Sequence, residues 1–406
     1  MTERPINKNY SIVVNILIFT FPIVINSLQV AGDLILFILA MMGIFISISQ
    51  KLLPFTIKEI KVFSYLTFGY FLAVCLSVIF SGKVAELAHY IPRDFHFLFA
   101  PFIALALFKA EININYLLTG IKVALIILGI IVCQQYLEGV PRPSGVMNPA
   151  VFGNLAVLMF FVLIVFFEHK SFKYKIFTLF SLLSGLFIIV LSGTRGAWVS
   201  FLILMGLYLY FFYKKKKKFS TRAKVYIVIF LISLLSIGSF NQELNTRISL
   251  AFSQVSNWSS DDPAMNSVSE RLTMYETALK NIEDVPFFGY GLRTSNTTLF
   301  KDDSTESGIV AARYNHLHNA LLTNYYNGGI ILLGALLLLL FVPLIIFLKA
   351  NSQDRENPIF ISGVILTLGY ASFGMVNILF GDTYMNGFYV FLLAIIMLLT
   401  NKSIKA

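Results

Sequence analysis

Long, unbroken apolar runs of about 20 residues recur along most of this chain and leave it one kind of fold. Hydrocarbon offers no water to backbone N–H and C=O groups, so only α-helices and closed β-barrels can cross it. Barrel strands alternate in polarity, and these runs do not. They predict helices at roughly 10–30, 32–50, 63–81, 95–108, 116–136, 151–167, 175–191, 197–213, 225–240, 328–348, 359–379 and 384–400, twelve in all. Charged residues make up 13% of the chain and mean hydropathy is +0.78, so too few polar groups exist to cover such a core in water. The expected fold is an all-α polytopic integral membrane protein. Its organisation is read as spans one to nine in residues 1–240, a polar loop in 241–327, and the last three spans with the C-terminal tail in 328–406.

Orientation follows from the basic residues. With the N-terminus in the cytoplasm and sides alternating, most of the 31 lysines and arginines fall inside, including Lys51, Lys58, Lys61, Lys122, Lys349, Lys402 and the run Lys214 to Lys218. That run reads as an anchor against acidic lipid, not as a nucleic-acid site. Both termini are then cytoplasmic. Cys75 and Cys133 both fall in apolar spans, so neither a disulfide nor a cysteine metal site is expected.

The outer cations carry more information. Lys83 and Arg93 sit in a short outer connection, where they serve lipid headgroups or pair with Glu86 and Asp94. Arg195 stands in Ser192-Gly193-Thr194-Arg195-Gly196-Ala197-Trp198, at the start of the next helix. Its fork of donors, flanked by glycines and helix-start N–H groups, forms an anion seat. Arg142, in the proline-rich stretch 141–149, is placed to converge with it on the same side.

The polar loop has its own order. Residues 269–282 show apolar positions at 272, 275, 279 and 282, an amphipathic helix with Arg271 in its first turn. Val285-Pro286-Phe287-Phe288-Gly289-Tyr290-Gly291 predicts a sharp turn, and His316-Leu317-His318-Asn319 stands just ahead of the tenth span. On a helix His316 and His318 point about 200° apart, so His316 is expected to face away and serve packing. His318 is the candidate proton acceptor. No Asp or Cys cluster completes a metal site, and no P-loop or dinucleotide fingerprint appears, so the free energy for bond formation must arrive with the substrate.

At these residues the chain resembles the O-antigen ligase family (WaaL type), within the larger group of ligases and polymerases that act on polyprenyl-linked glycans. The matching segments are residues 192–198, 270–279, 285–291 and 316–319. The resemblance implies transfer of O-antigen polysaccharide from undecaprenyl pyrophosphate to a hydroxyl of the lipid A–core oligosaccharide. The reaction would run at the periplasmic face of the bacterial inner membrane, without cofactor, metal or ATP. It assigns pyrophosphate binding to Arg195 and Arg271, with Arg142 added, and the catalytic base to His318. Asn148, Lys83, Arg93, His316 and Asn319 are carried as supporting residues. The same chemistry with another acceptor would be an O-antigen polymerase. A lipid-linked sugar flippase is a rival of another class, opposed by the concentration of charge on the outer face and the lack of internal repeats.

Overall fold

A computed structural model describes residues 7–28, 30–84, 88, 91–167, 172–216, 269–301, 303, 305–354 and 357–405. The predicted span at 225–240 and Glu86 lie outside the described residues. The first eight helices are α1 (Lys8–Ser27), α2 (Ala31–Gln50), α3 (Lys58–Phe80), α4 (Phe95–Phe108), α5 (Ile114–Leu137), α6 (Pro149–Val165), α7 (Phe172–Leu191) and α8 (Arg195–Lys216). After the long loop begins come α9 (Ser269–Lys280), α10 (Glu306–Ala312), α11 (Ala320–Gln353), α12 (Pro358–Gly374) and α13 (Thr383–Lys405). Among the described residues nine helices are long and apolar enough to cross a membrane. This is an all-α, multi-pass membrane protein.

Two spans are short for a bilayer, one already predicted so at 151–167 and one that ends before its predicted limit at 379. Helices α6 and α12 have 17 residues each, about 25 Å of rise against a hydrocarbon layer of about 30 Å. Both start in the same way. Asn148 and Asn357 cap them by accepting from Ala150 N and Ile359 N, and a proline follows at the position whose N–H would have no partner. The eleventh span was expected to reach residue 379. Instead α12 stops at Gly374, and Met375 to Phe380 turn back across the loop-bearing face.

Helices α6 and α13 form the centre. Every residue from Val151 to Leu163 and from Met385 to Leu398 is buried, which suits helices apolar all round. The other helices pack around them, some backbone to backbone. A methyl group added at Gly43 of α2 would lie 1.9 Å from the Phe102 carbonyl oxygen of α4.

The loop folds onto one end of the bundle around its own small core of Met274, Ala278, Val285, Phe300, Ala311, Leu317 and Tyr326. Helix α9 forms as predicted, but its buried face is not the expected one. Ser269, Thr273, Met274, Thr277 and Ala278 face inward, while Leu279 is 56% exposed. Small side chains allow α9 to approach α10 closely, and the larger apolar residues take the flank.

Two of the contacts that tie the loop to the bundle are the turn at 285–291 and Arg293. At Gly328 and Gly329 α11 breaks its helical geometry, with Gly329 at φ 59°. The turn after Pro286 braces this break, because Tyr290 N donates to Tyr326 O (2.8 Å) and Gly291 N to Asn327 O (2.9 Å). Only glycine fits at 329, where a Cβ would lie 1.8 Å from Phe287 O. The predicted boundary at 327/328 falls on this break, so residues 320–327 form a separate helical arm ahead of it. The second contact is Arg293, whose Nη2 donates to Gly381 O (3.3 Å) and lies 4.0 Å from Asp94 Oδ2. Asp94 was expected beside Arg93. It is buried, and its ion-pair partner is Arg293, because the loop delivers that guanidinium to the head of α4.

Candidate functional site

Helix α9 supplies Arg271, the stretch between α10 and α11 supplies His316 and His318, and the residues after α12 close over them. This stretch is not helical, and the expected separation of the histidines does not hold. Their ring centroids are 4.1 Å apart. His318 adopts φ +49°, a left-handed conformation that reverses the chain and brings the second ring back onto the first. His316 Nε2 and His318 Nδ1 are both buried without a hydrogen-bond partner. Tyr314 meets the His318 ring edge-on at 5.8 Å and donates its hydroxyl to the Glu270 carboxylate.

Electrostatics keep both imidazoles neutral. Burial, reinforced by the Arg271 charge, lowers His316 to about 4. Burial, His316 and Arg271, in that order, lower His318 to about 3. The neighbouring phenol moves the other way: burial and the Glu270 carboxylate raise Tyr314 to about 12.

A chain of contacts connects this group with the arginines on the bundle. The Tyr275 hydroxyl donates to His318 O (2.9 Å) and also reaches Met375 O (3.2 Å). Next to Met375, Val376 packs against Gly196 so closely that a Cβ there would be 2.6 Å from its methyl group. Gly196 follows Arg195, the first residue of α8. Arg142 joins the same turn. Its Nε donates to Ser192 O (3.2 Å) and its Nη2 to Thr194 Oγ1 (3.1 Å), while Thr194 Oγ1 donates to Pro149 O (2.9 Å). Arg142 thus clamps the turn that leads into Arg195.

The remaining candidates have local roles. Asn148 caps α6, and Asn319 caps α11 by accepting from Leu321 N and Leu322 N, with its Nδ2 toward Met375 O at 3.5 Å. Lys83 Nζ donates to Thr294 Oγ1 at 2.5 Å, which ties it to the Arg293 contact. The Arg93 side chain is exposed, and its carbonyl accepts from Asn386 Nδ2 (2.9 Å). Sequence reasoning passed over Tyr275 and Glu270, which flank Arg271 on α9. Tyr275 was read as one residue of an apolar stripe, although a tyrosine four positions from an arginine can turn a polar tip to the same site.

The fold and site define a polytopic membrane protein whose loop holds two neutral histidines together within the field of Arg271. Residues 179–339, which span Arg195, Arg271, His316 and His318, match the family model described as O-antigen ligase. Over that stretch the chain is similar to members of the O-antigen ligase/polymerase superfamily. Members of that group are glycosyltransferase-like ligases and polymerases, which supports an enzymatic role of this general kind. The chain is also similar to a protein of Haemophilus influenzae described as uncharacterized. The two are 27% identical over 373 residues, covering 88% of this chain and 91% of the relative.

Proposed function

We propose that the protein is an O-antigen ligase. It moves O-antigen polysaccharide from undecaprenyl pyrophosphate to a hydroxyl of lipid A–core oligosaccharide at the periplasmic face of the inner membrane. The observation that carries this reading is the placement of neutral His318 beside Arg271, joined through Tyr275, Met375 and Val376 to the Arg195 turn. An anion and a hydroxyl can meet in that arrangement.

In the transfer, the acceptor oxygen forms a bond to the anomeric carbon as the bond from that carbon to the pyrophosphate oxygen breaks. The bond electrons leave with the pyrophosphate, whose developing charge Arg195 and Arg271 stabilise. The acceptor proton passes to the neutral His318 imidazole. Pyrophosphate is already an activated leaving group, so the chemistry needs neither nucleotide nor metal. Direct displacement inverts the anomeric centre. In the free protein His318 is a weak base, and an anion against Arg271 offsets one cause of its low pKa, making it more basic when the donor is bound.

Purified protein, undecaprenyl-pyrophosphate-linked glycan and core lipid, without ATP and with EDTA, test the reading. Glycan attached to the core lipid is expected. No transfer with any matched donor and acceptor would end the proposal, and elongation of the lipid-linked glycan with no product on the core would make the protein a polymerase.

A further inference from the structure

We propose that the Tyr275 hydroxyl is a positioning group that locks the His318 turn to α9 and so sets the spacing between Arg271 and His318. This rests on the transfer reaction proposed above.

Three observations carry it. His318 sits at φ +49°, a conformation unfavourable for a residue with a Cβ, which needs something outside the turn to hold it. The bond from Tyr275 to the His318 carbonyl is such a hold (2.9 Å). Tyr275 also lies one helical turn after Arg271, so the residue that grips the base shares a rigid element with the arginine beside it. Finally, the same hydroxyl is 3.2 Å from Met375 O, and Met375 precedes the residue packed on Gly196. A phenol has one hydrogen, so it bonds one carbonyl at a time and stands where α9, the His318 turn and the segment after α12 meet. Burial raises the Tyr275 pKa, which keeps that hydrogen in place at working pH.

Tyr275→Phe keeps the ring and removes the donor. In the purified full chain, donor affinity should stay within about twofold while kcat for transfer falls about tenfold or more, the pattern of a misplaced group. Carbethoxylation of His318 by diethyl pyrocarbonate, followed by mass spectrometry, should become several times faster because the turn is released. A para-aminophenylalanine at 275 retains an N–H donor and should restore both values, whereas a para-methoxyphenylalanine should not. Wild-type kcat and an unchanged His318 modification rate in Tyr275→Phe would overturn the proposal, as would equal behaviour of the two substituted rings. If the wild-type protein transfers no glycan yet the modification rate still responds, the transfer reading fails and the positioning role stands.

Discussion

Burial, the neighbouring imidazole and the Arg271 guanidinium all oppose a proton on His318, which sets the direction of every pH effect at this residue. A base with a lowered pKa stays unprotonated far into acid, so kcat/KM, which reports the free protein, should remain flat down to about pH 5. In the donor complex the anion offsets Arg271, and kcat should turn down at a higher pH than kcat/KM. Breaks at the same pH in both profiles would mean that the anion does not meet Arg271. The same shifts affect stability. Unfolded imidazole titrates near 6.5, above the folded values of about 4 and about 3, so between those limits the unfolded chain binds more protons. The contribution is complete above 6.5 and is lost as pH falls toward 4, and melting at pH 7.5 and pH 5 should show it. The pH dependence should shrink when both histidines are replaced by glutamine. On the transfer reading, His318→Ala lowers kcat by about a hundred- to ten-thousandfold while donor binding persists. Arg195→Ala and Arg271→Ala each lower it by about a hundredfold or more, and lysine restores little because it lacks the planar fork.

Between elements, one of the contacts that hold the loop is buried and charged. Asp94 is 3% exposed, and Arg293 is the guanidinium at its carboxylate. Arg293→Ala removes the nearest guanidinium from that buried carboxylate and should lower the melting temperature in detergent. Adding Asp94→Asn removes the orphaned charge and should recover much of the loss. Additive losses in the double variant would show that the pair is not coupled. The brace at Gly328 and Gly329 is sensitive to size in the same way, since any side chain at 329 meets the Phe287 carbonyl. Helix α9 also shows why a stripe of large apolar residues is a poor guide to its buried face. Close packing on α10 selects Thr273, Thr277 and Ala278 for the contact and leaves Leu279 on the flank.

At the scale of the whole molecule, the loop and the cationic turn lie at one end of the bundle, and the proposed orientation assigns that end to the periplasm. With Cys75 and Cys133 replaced, a single cysteine at Lys301 should react with a membrane-impermeant maleimide in intact spheroplasts, and one at Ser352 should react only after lysis. The reverse pattern would place His318 in the cytoplasm, and neither the donor nor the acceptor proposed here would reach it.

The helical class was legible in the chain because satisfying the backbone in lipid is a local demand, met within each apolar run. The caps at Asn148 and Asn319 and the turn at 285–291 are local in the same sense. Arg195, Arg271 and His318 could be picked out one at a time, each from its neighbours in sequence. Their assembly could not. It depends on contacts across long separations, such as Tyr275 with Met375, Gly196 with Val376 and Arg142 with Thr194, which no periodicity encodes. The pairing of His316 with His318 was misread for a related reason. A spacing of two fixes direction only within a regular helix or strand, and the left-handed turn at His318 belongs to neither. Composition and local pattern therefore determined the solvent, the helices and the cast of polar residues, while tertiary packing alone decided which of them share a site.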